Sequence, residues 1–119
     1  MSRFSTLPFV AAAVVALATG SAAAHAHLAS ATPAPNSVVA PTRTVGLTFS
    51  GRIVSTFSDF DVVDAEGRKA EVRIAHGDDG RSMTGTLSRP LAPGVHRVDW
   101  RIASGDGHRM TGSYTFTVR

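Results

Sequence analysis

From Arg43 onward, apolar and polar residues alternate with the two-residue period of a half-buried β-strand. Arg43 to Phe49 sets Val45, Leu47 and Phe49 on one face, and Phe57 to Val63 is a second apolar stretch. Lys69 to Ile74 alternates through Ala70, Val72 and Ile74, and Ser82 to Leu87 through Met83, Gly85 and Leu87. Val95 to Ile102 places Val98, Trp100 and Ile102 together. Thr111 to Val118 places Tyr114, Phe116 and Val118 on one face, with threonines and a serine on the other. Turn chemistry separates the runs: Thr32 to Ser37, a hairpin loop at Asp64 to Gly67, a loop at His76 to Gly80, and Arg89 to Gly94. No helix signal follows residue 24. The pattern predicts an all-β sandwich or barrel of about seven short strands. Trp100 and the Tyr114/Phe116 face are expected to anchor its core, each burial contributing about 2–3 kcal/mol. The loop from Ala103 to Met110 joins the last two strands and lies at one end of the sandwich.

Residues 1–24 break the pattern. Arg3 gives a positive start, Phe9 to Ala18 a short apolar run, and Thr19 to Ala24 a small-residue end. These are the three regions of a cleaved secretory signal peptide. The apolar run is shorter than the roughly 20 residues of a membrane span. Cleavage after Ala24 leaves one domain, 25–119; Ala24-His25-Ala26 also permits a cut after Ala26. The expected location is periplasmic, or otherwise outside the cytoplasm, with membrane contact only through a partner.

The chain has no cysteine, so this exported domain relies on its core and cannot offer a thiolate site. Its formal charge of +3 falls to about +2 without Arg3. Basic and acidic residues are interspersed, which excludes a nucleic-acid footprint. No Gly-x-Ser-x-Gly or carboxylate pair marks a hydrolase.

The candidate chemistry lies at the two ends of the domain. If the mature chain begins at His25, one residue offers an α-amine and an imidazole that close a chelate ring. Asp106-Gly107-His108 adds an oxygen and a further nitrogen, with Gly107 allowing the bend that turns both side chains to one point. Cu(II) favours such nitrogen and hard-oxygen donors in a tetragonal plane. The predicted site is therefore one Cu(II) per chain on His25, Asp106 and His108. Alternatives stand beside it. Asp106-Gly107 is also a common turn dipeptide. His27, a secondary candidate, is a third-position histidine that binds Cu(II) with the amine and two deprotonated amides, without a folded domain. His96 is in phase with Val98 and Trp100 and reads as a packing residue. His76, beside Asp78 and Asp79, reads as part of a solvated turn.

The chain resembles the CopC family of secreted copper-resistance proteins. The resemblance rests on His25-Ala26-His27-Leu28, Ser30-Ala31-Thr32-Pro33, Leu47-Thr48-Phe49-Ser50, Leu91-Ala92-Pro93-Gly94, Val98-Asp99-Trp100-Arg101, Asp106-Gly107-His108 and Gly112 to Val118. It implies a Greek-key β-sandwich related to immunoglobulin and cupredoxin folds. It also implies Cu(II) held by the amine and imidazole of His25 with Asp106 and His108, and a cut after Ala24. A CopD-type inner-membrane copper transporter is the implied partner, with the domain itself a monomer.

Three features depart from the family pattern. Gly51 stands where an acidic residue is common, Arg109 where proline often follows the loop histidine, and the methionine-rich segment used for Cu(I) is missing. The resulting expectation is a Cu(II)-only protein of copper resistance or homeostasis that buffers or delivers copper and is not an enzyme. Two rivals remain at this level: an oxidative copper enzyme built on an N-terminal histidine brace, and a plain immunoglobulin-like interaction module.

Overall fold

In the computed structural model the described residues are 26–119. The signal segment and His25 lie outside them. Eight strands are present among the described residues: β1 (Leu28–Thr32), β2 (Val38–Val39), β3 (Thr44–Phe49), β4 (Asp59–Asp64), β5 (Val72–His76), β6 (Ser82–Leu87), β7 (Gly94–Ala103) and β8 (Arg109–Val118). They form two four-stranded sheets, ordered β1-β3-β6-β5 and β2-β8-β7-β4. Most connections change sheet, giving a sandwich as the alternation predicts, of the Greek-key type that the family resemblance implies. No helix among the described residues is long and apolar enough to cross a membrane.

The alternating residues build the core. Val45, Leu47 and Phe49 of β3 face Val98, Trp100 and Ile102 of β7 and Phe116 and Val118 of β8, all buried. Phe49 meets the edge of Trp100 with ring centroids 5.2 Å apart, a favourable aromatic geometry. Two glycines make room for the large rings. Any side-chain carbon on Gly85 would meet Phe60 and Val72, and one on Gly112 would overlap the indole of Trp100, its cross-strand neighbour. Tyr114 is only half-buried, and burial pushes its hydroxyl up to about 12.

Several boundaries differ from the sequence pattern. β1 and β2 were not among the predicted strands. β1 is a sheet edge without clean alternation, and β2 is only two residues, paired in parallel with Thr117 and Val118 of β8. Residues Ser55–Phe57 form a short 3-10 turn, so the strand expected from Phe57 begins at Asp59. Phe57 is exposed, because the turn carries it off the sheet. The hairpin loop at Asp64 is present: Asp64 Oδ1 accepts from the amides of Glu66 and Arg68, and Gly67 takes a φ of 85°. Lys69 and Ala70 still bond to β4, and the chain then crosses to the other sheet, so β5 starts at Val72. β5 runs on through His76, which therefore pairs with Met83 rather than opening the loop. β7 and β8 are longer than expected because they pair continuously from Gly94–Val118 to Ala103–Arg109.

Candidate metal centre

The turn between β7 and β8 consists of residues 104–108, shorter than the loop read from the sequence. Its backbone closes on itself: Ser104 N–H donates to His108 O at 2.8 Å, and Gly107 N–H to Ser104 O at 2.9 Å. Gly107 has a φ of 91°, a conformation that side chains disfavour, so glycine is required for the bend. Asp106 and His108 emerge on the same side. Asp106 Oδ2 lies 2.9 Å from His108 Nδ1, and Asp106 Oδ1 accepts from His108 N–H at 3.1 Å.

Ser104 completes this arrangement from below. It is fully buried, and its hydroxyl donates to Asp106 Oδ1. That hydroxyl, followed by the His108 ring and amide, holds the Asp106 carboxyl well below the usual carboxylate range. The turn thus presents an ionised carboxylate against an imidazole whose Nδ1 is already engaged. Such a pairing fixes ring orientation and is a common support for metal-binding histidines.

The other end of the domain reaches the same place through the segment after β3. Ala26 is 1 % exposed and belongs to the core, with Gly51 beside it. His27 is tied to Ser50 three times. Its N–H lies 3.0 Å and its Nδ1 3.1 Å from Ser50 Oγ, and Ser50 N–H donates to His27 O at 2.8 Å. Three residues on, Ile53 bridges Ser104, and Val54 N–H donates to Ala103 O at 2.8 Å. At most about 10 Å of chain separates the His27–Ser50 contact from the foot of the Asp106–His108 turn.

Among the sequence candidates, Asp106 and His108 are together and His27 is on Ser50. His25 precedes the described residues. No group of three or more His, Asp or Glu placed to hold a metal exists among the described residues. His96 is buried, bonded to Ala92 O at 2.8 Å and stacked on Phe116, which matches its reading as a packing residue. Arg109 lies with its guanidinium 5.3 Å from the Phe57 ring centroid. Met83 is wholly buried and Met110 packs against the core, so neither forms part of an exposed thioether cluster.

Two contributors were not visible in the sequence reading: Ser104, which supports Asp106, and Ser50, which holds His27. Serine carries no periodic signal. The only sequence marks are that Ser50 and Ser104 each follow directly on a strand, Ser104 two residues before Asp106.

The CopC domain family matches residues 28–119. The chain belongs to the CopC family. Copper resistance protein C of Escherichia coli is 36% identical over 107 residues, covering 83% of this chain and 85% of that protein. The crystal structure of PcoC, a methionine-rich copper resistance protein from Escherichia coli, superposes with a TM-score of 0.75 at 36% identity, covering 81% of this chain and all of that one. CopC from Methylosinus trichosporium OB3b gives a TM-score of 0.73 at 31% identity, covering 79% and 93%. Membership in the CopC family sets the chain apart from the oxidative copper enzymes and from a generic immunoglobulin-like module.

Proposed function

We propose that this CopC-family protein is exported, loses residues 1–24, and binds one Cu(II) in copper resistance. The donors are the α-amine and imidazole of His25, a carboxylate oxygen of Asp106 and a ring nitrogen of His108. With Nδ1 of His108 facing Asp106, Nε2 is the nitrogen assigned to copper. The observation that carries this reading is the Ile53–Ser104 bridge, which joins the segment holding His27 to the foot of the Asp106–His108 turn. The copper-resistance names of its relatives support the choice of metal.

The burial of Ala26 supports a mature start at His25: a cut after Ala26 would remove a core residue as well as the chelating histidine. The methionines support Cu(II) over Cu(I), since the Met83 thioether is buried and the partly buried Met110 packs against the core. The domain acts as a periplasmic monomer that buffers copper or hands it to a CopD-type inner-membrane transporter.

The test is a Cu(II) competition titration on the chain beginning at His25. His108→Ala, and separately acetylation of the mature amine, should each lower affinity by several orders of magnitude. Unchanged affinity after both would overturn the ligand assignment.

A further inference from the structure

The His27–Ser50 contact has the geometry of an occupied chelate. A third-position histidine holds Cu(II) through the chain amine, the deprotonated amides of the second and third residues, and Nδ1 of the histidine. In that mode the amide nitrogen and Nδ1 of the histidine converge on the metal. Here the amide nitrogen and Nδ1 of His27 converge instead on Ser50 Oγ, at 3.0 and 3.1 Å. The hydroxyl accepts from the amide and is set to donate to Nδ1. The second residue of the would-be chelate is restrained as well, since Ala26 is 1 % exposed in the core.

We propose that Ser50 is a specificity-determining residue: it occupies the chelating position of His27, closes the amine–amide–amide–imidazole mode, and so leaves copper to the Asp106–His108 turn. This rests on the copper reading above, with His25 as first residue. Both contacts of Ser50 Oγ, with the His27 amide and with Nδ1, would have to break for the amide mode to form, beside a buried Ala26. The fold thereby turns an N-terminal sequence that suits a flexible peptide site into a part of a three-dimensional one.

The experiment compares the chain beginning at His25 with Ser50→Ala, His108→Ala and the double variant, each given one equivalent of Cu(II) and, separately, Ni(II). Visible circular dichroism and electron paramagnetic resonance report the ligand field. A short synthetic peptide with the same first residues supplies the amide-type reference. The wild type and His108→Ala should lack the amide-type spectrum. The double variant should acquire it, together with the diamagnetic square-planar Ni(II) complex. Adding His27→Ala should remove it, and Ser50→Thr, which keeps the hydroxyl, should behave as wild type. The proposal is overturned if the folded double variant shows the same spectra as His108→Ala, or if the wild type already shows the amide-type spectrum. Loss of affinity in His108→Ala reports on the copper site separately, so failure of one reading is distinguishable from failure of the other.

Discussion

Ser104 and Asp106 form a buried-to-exposed pair: a hydroxyl with no solvent exposure donates to a carboxylate at the mouth of the β7–β8 turn. The residue that reaches solvent is thus positioned by one that does not. The same serine bonds through its amide to His108 O and bridges Ile53 through its backbone, so a single residue lies at the junction of both ends of the candidate site.

Replacing Ser104 by alanine removes the leading cause of the depressed Asp106 pKa. A carboxylate with a lowered folded pKa adds stability above its unfolded value, near 3.9, and loses it as pH falls through the folded value. The Asp106 contribution is therefore present at neutral pH and disappears only in strong acid. In Ser104→Ala the folded pKa should rise toward the ordinary range, so that contribution shrinks and acid unfolding begins at higher pH. Carboxyl NMR titration of the metal-free protein measures the first effect and circular dichroism against pH the second. An unmoved Asp106 titration would refute the assigned cause.

The overlap of a Gly112 side chain with Trp100 leads to a packing prediction. Gly112→Ala forces the indole from its place against Phe49 and should cost about 1–3 kcal/mol, as overpacked cores do. Gly46→Ala, at a strand position with nothing within 4 Å, should change stability by less than about 1 kcal/mol. Urea unfolding of the two variants compares them directly. Equal stabilities would show that the Trp100 slot tolerates a methyl group.

On the outer face of the second sheet Arg101 pairs with Asp59 at 2.7 Å and Asp61 at 3.1 Å. These side chains are substantially exposed, so the network should contribute about 1 kcal/mol or less. Arg101→Met is expected to lower stability by no more than that, with the difference fading at high salt. Denaturation at two ionic strengths checks it; a large, salt-independent loss would point to packing by the arginine stem instead.

Copper affinity should fall on acidification. A free α-amine has a pKa of about 7.7–8.0 and must lose its proton to coordinate. Competition titrations between pH 8 and pH 6 should show affinity declining with roughly one proton released per copper from this group. A chain with its amine acetylated should bind weakly and lose that part of the slope. Identical slopes for the two would exclude the amine as a ligand.

The central strands were legible because each has one face in the core and one in water, so burial wrote itself as alternation. β3, β6, β7 and β8 follow that rule closely. β1 and β2 do not, being edge strands with few buried positions. Phe57 misled because its apolar ring is spent on Arg109 at the surface, not on the core. That Asp106 and His108 lie side by side was readable from their spacing around Gly107. Ser50 and Ser104 were not: Ser50 depends on His27, 23 residues away and brought close by sheet pairing, and Ser104 on a turn hydrogen bond to Asp106 that serine carries no pattern to announce.

The burial of Ala26 also bears on the order of events during export. A processing enzyme needs an extended stretch of chain on both sides of the bond it cuts. With cleavage after Ala24, the second and third residues beyond that bond are Ala26, packed in the core, and His27, fastened to Ser50. Folding of this corner and removal of the signal therefore compete for the same few residues. On the proposed reading, the signal is most readily removed before His27 is fastened to Ser50.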